Sequence, residues 1–337
     1  MLDKRRTVKI LSAIKKANRI LLVVHVSPDL DGLSSVLATK KVLGQLGKKT
    51  KVISFSQIPS RLQFVSGAET IVVEDFAKLN FNNFDLFIAL DCAQEKMITR
   101  SPFPQSFPVG FQIINIDHHA TNTHFGDINL VVSAASTTEI LYQLFKSWRI
   151  KIDRQLAKLL FYGLVADSGC FQYLSTTKDT FKIGLDLLDK GADLSEIVLQ
   201  TFRSYNFKTL KYWGKVLENM QIDKSKKFVW SKVSRSEREE LGVEASEVEG
   251  AANLFAPVIS GTEFGIILTE EAEGFIRGSL RSRNNFDVSK IALELGGGGH
   301  KAAAGFSLKM TLDEAEKKTL EVAKSLLNNR NRTNQKS

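Results

Sequence analysis

Apolar residues in the first part of the chain form two alternating patterns, one with helical spacing and one of short continuous runs. Val8, Leu11 and Ile14 have helical spacing, and the apolar run at residues 20–24 follows them with the length of a strand. The predicted helices cover residues 3–18, 33–46 and 156–165. The predicted strands cover residues 20–24, 51–55, 86–90 and 111–116. Such alternation predicts an α/β fold with a mainly parallel sheet flanked by helices.

A further helix start is encoded by the segment from Ser136 to Glu139, which has the spacing of a capping box. An apolar pattern of helical spacing, beginning at Ile140, follows directly. Because a capping box satisfies amide groups at the beginning of a helix, we expect a helix to begin at this point.

The pattern changes in the last third of the chain. Residues 180–220 are helical in character, and short strand-like segments with turns begin at residue 228. The strands predicted there cover residues 228–233, 264–269 and 274–283, and the helices cover 288–295 and 312–327. This predicts a second, smaller α/β domain. The expected division is a first domain at 1–180, a helical linker at 181–220, a second domain at 221–327 and a disordered tail at 328–337.

Composition narrows the class of protein. The 337 residues are 43% hydrophobic with only 6 prolines, which is typical of a globular protein, and 2 cysteines exclude a disulfide-rich scaffold. No apolar run approaches the ~20 residues that a membrane-spanning helix needs, and no signal-peptide core follows the charged start, so we expect a cytoplasmic protein. The net charge of +9 favours polyanionic partners, although it is weak evidence alone.

Acidic residues and histidines concentrate where predicted strands end. These residues are His25, Asp29, Asp31, Asp91, Asp117, His118 and His119, with Asp167 at the end of a buried helical run. Any one of the aspartates is more often a turn or capping residue than a catalytic one. Ligands of parallel sheets bind outside the carboxyl ends of the strands, however, so the whole set is expected to converge at one edge.

Several carboxylates in one pocket repel each other strongly unless cations lie among them. Two divalent ions bridged by a shared carboxylate would remove this repulsion and would suit phosphoryl transfer. A ligand set of oxygen and imidazole nitrogen favours Mn²⁺, with Mg²⁺, Co²⁺ or Zn²⁺ as alternatives.

These residues carry a resemblance to a known family. The pattern His25-x-x-x-Asp29-x-Asp31, then Asp91, Asp117-His118-His119 and Asp167, resembles the four motifs of the DHH phosphoesterase superfamily. A glycine run contains Gly297, Gly298 and Gly299 and is followed by His300. Together with the arginines before it, this run resembles the type 1 associated domain of the same superfamily. The chain length is most similar to the nanoRNase and pAp-phosphatase branch.

The resemblance implies a role for each matching residue. One metal would be held by His25, Asp29 and Asp91, and the other by Asp31, Asp91, His118 and Asp167. Asp91 would bridge the two ions. His119 would act beside the substrate phosphate as a donor or acid, and Asp117 would orient a neighbouring histidine. The resemblance places the active site in a cleft between the two domains.

The second domain carries a pattern suited to phosphate. Arg277, Ser279, Arg281 and Arg283 lie two residues apart, so on a strand they share one face, where guanidinium groups can bind phosphate oxygens. A solvated strand face is the alternative. Four consecutive glycines let backbone amides approach a ligand, but the loop matches neither a Walker A motif nor a dinucleotide fingerprint. By resemblance, Gly297 to His300 and the arginines contact the nucleotide end of the substrate.

The sequence therefore predicts a metal-dependent phosphodiesterase that hydrolyses RNAs of about two to five nucleotides, including pApA, to nucleoside monophosphates, with pAp as a related substrate. The expected partners are short single-stranded RNA or dinucleotides, neither a membrane nor a long duplex, and a second copy in a homodimer. A pyrophosphatase or polyphosphatase and a non-catalytic nucleotide sensor remain alternative interpretations. A RecJ-like exonuclease is disfavoured because no further nucleic-acid-binding domain fits in the length.

Overall fold

The computed structural model describes residues 2–243, 250–284, 286–299 and 301–334. The chain divides into two compact units, unit 1 at Met1–Ser204 and unit 2 at Tyr205–Ser337. The division falls within the segment 181–220, which the sequence predicted to be a helical linker. That segment consists of three helices, and the last of them belongs to unit 2.

Unit 1 is built around one parallel sheet. Its strands are β1 (Arg19–Val24), β2 (Lys49–Ser54), β3 (Val72–Val73), β4 (Leu86–Leu90), β5 (Gln112–Asp117) and β6 (Ile128–Val131). Within the described residues they lie in the order β3-β2-β1-β4-β5-β6, and every neighbouring pair is parallel. The helices are α1 (Lys4–Lys16), α2 (Leu30–Gln45), α3 (Thr137–Ser147), α4 (Arg154–Asp167), α5 (Lys178–Asp189) and α6 (Leu194–Phe202). The predicted parallel sheet with flanking helices is confirmed.

Burial on both sides of the sheet explains why its central strands read as continuous apolar runs. Alternate residues of β1 face two different cores, with Ile20, Leu22 and Val24 in one and Leu21 and Val23 in the other. The first core lies against the helices. The second contains a cluster of phenylalanine rings, among them Phe103, Phe107 and Phe111.

Unit 2 contains the second sheet. Its strands are β7 (Gln221–Ile222), β8 (Phe228–Val233), β9 (Phe264–Ala272), β10 (Phe275–Ser282), β11 (Gly298–Gly299) and β12 (Ala303–Lys309). In the described part of this unit they lie in the order β11-β12-β10-β9-β8-β7, and only β8 and β9 pair in parallel. The helices are α7 (Phe207–Glu218), α8 (Arg235–Glu240), α9 (Ala251–Phe255), α10 (Ser289–Glu294) and α11 (Leu312–Asn334). This confirms the second, smaller α/β unit.

Several elements of unit 2 were not predicted from the sequence, namely β7, α8, α9, β11 and β12. Helix α11 continues to Asn334 and so includes residues 328–334 of the predicted disordered tail, whereas residues 335–337 lie outside the described residues. Glycine is also required by the sheet at two of the four positions. A Cβ on Gly297 would lie 2.2 Å from the carbonyl oxygen of Gly305, and one on Gly299 would lie 2.5 Å from Ala304 Cα.

Among the helices of the described residues, none combines the length and the apolar character needed to cross a membrane.

Candidate functional site

The candidate metal ligands lie at the carboxyl ends of neighbouring strands in unit 1. His25 directly follows β1, Asp91 directly follows β4, and Asp117 is the last residue of β5. Since β1, β4 and β5 are adjacent and parallel, their ends lie along the same edge of the sheet. Asp29 is the N-cap of α2 and accepts a hydrogen bond from the amide of Gly32 at 2.9 Å. Asp29 is therefore both a capping residue and a candidate ligand.

Two groups of side chains face each other across Asp91. In the first, His25 Nε2 lies 3.5 Å from Asp29 Oδ1 and 3.8 Å from Asp91 Oδ2. In the second, His118 Nε2 lies 3.5 Å from Asp91 Oδ1 and 3.2 Å from Asp167 Oδ2. Asp31 joins His118 and Asp167, and the ligand atoms of these three residues lie within 4.8 Å of one another. The structure thus brings all six predicted ligands together.

The Nε2 atoms of His25 and His118 fit a metal ion better than they fit hydrogen bonds with the neighbouring carboxylates. His118 Nδ1 lies 3.3 Å from the carbonyl oxygen of Ala134, a contact that requires a proton on Nδ1 and leaves the lone pair on Nε2. Among the described residues, the buried atoms His25 Nε2 and His118 Nε2 have no hydrogen-bond partner. Two ligand atoms at about 2.1 Å from one ion and at right angles lie about 3 Å apart, close to the separations observed. The donor set therefore fits divalent cations.

Charge within the cluster also favours cations. With no cation present, burial and the neighbouring carboxylates raise the pKa of Asp31 to about 7 and that of Asp91 to about 6. Burial lowers the pKa of His25 and His118, but the surrounding carboxylates outweigh it and raise these pKa values to about 9 and about 10. These shifts indicate that the clustered carboxylates favour nearby positive charge, which divalent cations would supply.

A buried hydrogen-bond network fixes His119. Its Nδ1 lies 2.7 Å from Asp117 Oδ1, and Asp117 is completely buried. Asn122 donates to Asp117 Oδ2 at 2.6 Å and approaches Asn115 Oδ1 at 2.8 Å. Burial raises the pKa of Asp117, but these hydrogen bonds outweigh it and hold that pKa below its usual range. Sequence reasoning missed Asn122 and Asn115, although the Asp-His-His-x-x-Asn spacing places Asn122 one turn away.

Sequence reasoning also missed Thr137 and Thr138, the first two residues of α3. The amide of Thr137 donates to Asp31 Oδ2 at 2.6 Å, and its hydroxyl donates to Asp91 Oδ1 at 2.9 Å. The amide and hydroxyl of Thr138 donate to Asp31 Oδ1 at 3.1 and 2.7 Å. The predicted helix start is confirmed, since Ser136 is the N-cap and accepts from the amide of Glu139. The capping signal was the available clue that α3 begins here, but not that its start meets the aspartates.

Two glycines make room for the ligands. A Cβ on Gly32 would lie 2.4 Å from His25 Nε2, and one on Gly163 would lie 2.2 Å from Asp31 Oδ1. No real Cβ is tolerated at such distances without a shift of its neighbours. Asp91 itself has a left-handed backbone with φ of 57°, an unfavoured conformation of the kind that accumulates at functional sites.

The predicted phosphate-contacting residues of unit 2 lie on and beside β10. Arg277 is exposed on the face opposite the buried Ile276 and Leu280, as the alternation predicted. Arg281 Nε donates to Asn253 Oδ1 at 2.5 Å, and Arg283 Nη1 donates to the carbonyl of Pro257 at 2.9 Å. Gly298 has open space where a Cβ would be. His300 lies outside the described residues.

Comparison with known proteins agrees with these observations. Residues 19–164 match the model of the DHH family N-terminal domain, and residues 225–329 match the DHHA1 domain. The chain is 29% identical to the bifunctional oligoribonuclease and PAP phosphatase NrnA of Thermus thermophilus, over 96% of this chain and 95% of that protein. It is also 29% identical to the probable NrnA of Streptococcus mutans, over 88% of this chain and 91% of that protein.

A solved structure shares the fold over nearly the full length. It is an exopolyphosphatase-related protein from Bacteroides fragilis, with a TM-score of 0.88 and 26% identity, covering 98% of this chain and 97% of that chain. The two matched models together account for most of the chain. The protein is thus a hydrolase that belongs to the DHH family of phosphoesterases and carries a DHHA1 domain in its second unit.

Proposed function

We propose that the protein hydrolyses very short RNAs of about two to five nucleotides, including pApA, to nucleoside monophosphates, and that it also removes a phosphate from pAp. The observation that carries this proposal is the similarity, over nearly the whole chain, to proteins named as bifunctional oligoribonuclease and PAP phosphatase. A protein named cyclic-di-AMP phosphodiesterase from Listeria monocytogenes is 24% identical over 91% of this chain but only 47% of that protein, and its name is consistent with dinucleotide substrates.

We assign the metal ligands as two groups that share Asp91. His25, Asp29 and Asp91 would hold one divalent ion, and Asp31, Asp91, His118 and Asp167 would hold the other. Oxygen and imidazole donors favour Mn²⁺, with Mg²⁺, Co²⁺ or Zn²⁺ as alternatives. Divalent ions, when bound, supply an activated water and neutralise charge on the phosphoryl group.

The residues of the chain then position and protonate the substrate. Asp117 accepts from His119 Nδ1, which fixes the ring and directs its other nitrogen away from the network. Burial lowers the pKa of His119, but the hydrogen bond to Asp117 and the charge of Asp91 outweigh it and raise this pKa. A protonated imidazole beside the phosphate can donate that proton to the leaving oxygen, which is general acid catalysis.

Unit 2 would contribute recognition of the nucleotide. Arg277, Arg281 and Arg283 lie along β10 and just beyond it, and guanidinium groups at this spacing suit phosphate oxygens. Gly297, Gly298, Gly299 and His300 complete the proposed substrate-contacting set. The contacts of Arg281 and Arg283 with Asn253 and Pro257 hold two of these side chains in defined positions.

A polyphosphatase is the second candidate. The fold similarity to an exopolyphosphatase-related protein, with a TM-score of 0.88, favours it. The same metal ligands would serve pyrophosphate or polyphosphate chains. The arginines of β10 are equally suited to these anions. The two candidate functions are therefore distinguished by which substrate the protein hydrolyses.

The test is product analysis by chromatography with Mn²⁺ present. The substrates are a ladder of 5′-phosphorylated RNAs from dinucleotides upward, with pAp, pyrophosphate and polyphosphate in parallel. We expect rapid release of mononucleotides from the shortest RNAs and none from the Asp91→Asn variant. Cleavage of pyrophosphate or polyphosphate alone would establish the second candidate, and nucleotide binding without turnover of any substrate would indicate a sensor.

A further inference from the structure

The backbone amides at the beginning of α3 donate their hydrogen bonds in an unusual pattern. The first amides of a helix have no partner within the helix and must find one elsewhere. In α3 the amide of Glu139 is taken by the side chain of Ser136, as in an ordinary N-cap. The amides of Thr137 and Thr138 instead reach the carboxylate of Asp31, which comes from a different part of the chain.

This arrangement compensates the burial of a charged group. Asp31 is completely buried, and an isolated buried carboxylate is strongly disfavoured unless donors or cations surround it. Three hydrogen bonds from Thr137 and Thr138 reach its two oxygens. The positive end of the helix macrodipole adds to their effect.

The hydroxyl direction of Thr138 follows from its partners. An ionised carboxylate only accepts, so the single hydroxyl hydrogen of Thr138 points to Asp31 Oδ1. Ser136 Oγ lies 2.8 Å from the same hydroxyl and must then act as the donor to it. Asp31 Oδ1 is thereby occupied by two donors, whereas Oδ2 accepts only from the amide of Thr137 among the described residues. A carboxylate oxygen has two lone pairs, so Oδ2 keeps one for a cation.

Thr137 contacts two candidate ligands at once. Its amide reaches Asp31, and its hydroxyl donates to Asp91 Oδ1, the oxygen that faces His118. The side chains of Thr137 and Thr138 are almost entirely excluded from solvent, so water cannot replace either hydroxyl without displacing neighbouring atoms. Thr137 therefore links the two carboxylates directly.

We propose that Thr137 and Thr138 are positioning residues of the metal centre: they hold Asp31 and Asp91 in the relative geometry that lets two divalent ions share Asp91. This inference rests on the metal centre of the proposed function. The inference gives the two threonines different roles. The hydroxyl of Thr138 orients only Asp31, while the hydroxyl of Thr137 orients the bridging carboxylate.

The division gives the two threonines different signatures. Loss of a residue that orients a metal ligand typically lowers metal affinity about 10- to 100-fold. For Thr138→Val we expect weaker binding of one Mn²⁺ ion, that held by Asp31, with the other unchanged. For Thr137→Val we expect the bridge itself to loosen, so that the exchange-coupled signal of a Mn²⁺ pair gives way to signals of separate ions.

The test uses the full-length protein and Mn²⁺ alone as the probe. Calorimetric titration gives the affinity of each ion, and electron paramagnetic resonance reports whether the ions are bridged. Thr137→Ser and Thr138→Ser keep the hydroxyls and should restore both readouts. Thr39→Val is the matched control, because Thr39 is also buried in unit 1 and its hydroxyl has no hydrogen-bond partner among the described residues.

Each outcome is decisive. Wild-type affinity and coupling in both Val variants would overturn the inference while leaving the metal centre intact. Equal losses in the Val and Ser variants would also overturn it, because they would indicate a packing defect. If the wild-type protein binds no Mn²⁺ under any condition, the metal centre of the proposed function fails and the inference falls with it.

Discussion

Gly163 illustrates how a residue without a side chain can serve the metal centre. It lies in the middle of α4, where glycine is intrinsically less favourable than alanine by about 1 kcal/mol. A Cβ at this position would lie 2.2 Å from Asp31 Oδ1 and 2.5 Å from Thr138 Oγ1. Glycine at this position therefore lowers the helix propensity of α4 but leaves room for the buried carboxylate of Asp31.

We expect Gly163→Ala to lower Mn²⁺ affinity about 10-fold or more, because displacement of Asp31 removes an oriented ligand. The gain in helix propensity should offset part of the overpacking cost of about 1–3 kcal/mol, so the variant should still fold. Calorimetric titration with Mn²⁺ and circular dichroism measure the two effects. Gly44→Ala is the control, since a Cβ at Gly44 of α2 meets no atom within 4 Å. Wild-type Mn²⁺ affinity in Gly163→Ala would contradict this account.

At the scale of elements, the packing of α3 on α5 contains a charged hydrogen bond that involves none of the candidate ligands. The hydroxyl of Tyr142 donates to Asp186 Oδ2 at 2.6 Å. Burial raises the pKa of Asp186, but the hydrogen bonds from Tyr142 and Lys190 outweigh it and hold this pKa below its usual range. A carboxyl with a depressed pKa in the folded state stabilises the protein above its unfolded pKa and loses that contribution as the pH falls.

Tyr142→Phe should therefore lower the free energy of unfolding by about 1–2 kcal/mol at pH 7. The difference from wild type should shrink as the pH falls below about 4, because the unfolded carboxyl takes up a proton there and the folded wild-type carboxyl does so only at still lower pH. Urea unfolding in the presence of a chelator, at pH 7 and at the lowest pH where the protein stays folded, measures this. A difference that stays constant with pH would mean that Tyr142 acts through packing alone.

The sequence predicts well those elements whose residues are buried on both faces. The runs that became β1, β4 and β5 are continuous and apolar because helices and the phenylalanine cluster cover them. Short edge strands were missed, since Val72–Val73 and Gln221–Ile222 have only two residues each and carry no period. Helix α2 begins at Leu30 rather than at residue 33, because Asp29 caps it.

The candidate site was predictable only in part, for a related reason. Most of the acids and histidines lie at or shortly after the ends of strands, so the parallel sheet brings them together without any long-range information, whereas Asp167 ends helix α4. Thr137 and Thr138 act through contacts between segments far apart in the sequence, such as Thr137 with Asp31 and with Asp91. A single sequence contains no signal for such contacts beyond the capping motif.

For the whole molecule, the placement of the candidate ligands predicts an uneven response to metal. All six belong to unit 1. A ligand that binds only the folded state stabilises it by about 2.7 kcal/mol at a concentration of 100 times its Kd. For a domain of about 200 residues this corresponds to a rise in Tm of about 5–10 °C.

We therefore expect scanning calorimetry to show that Mn²⁺ raises the Tm of the transition of unit 1 and leaves that of unit 2 unchanged. Asp91→Asn should abolish the shift because it removes a charge from both ligand groups. An equal shift of every transition in wild type, or a shift that survives in Asp91→Asn, would contradict the assignment of the ligands.

The strand order of unit 1 also has a consequence for its synthesis. Strand β1 pairs on one side with β2, which is made soon after it, and on the other with β4, whose first paired residue is Leu86. Until the ribosome has released Leu86–Leu90, a nascent chain exposes one hydrogen-bonding edge of its central strand, which is a site for wrong pairing. The last candidate ligand, Asp167, is made later still. The complete set of candidate ligands therefore exists only after Asp167 has been translated and unit 1 has folded. Mn²⁺ binding would report that final folding step.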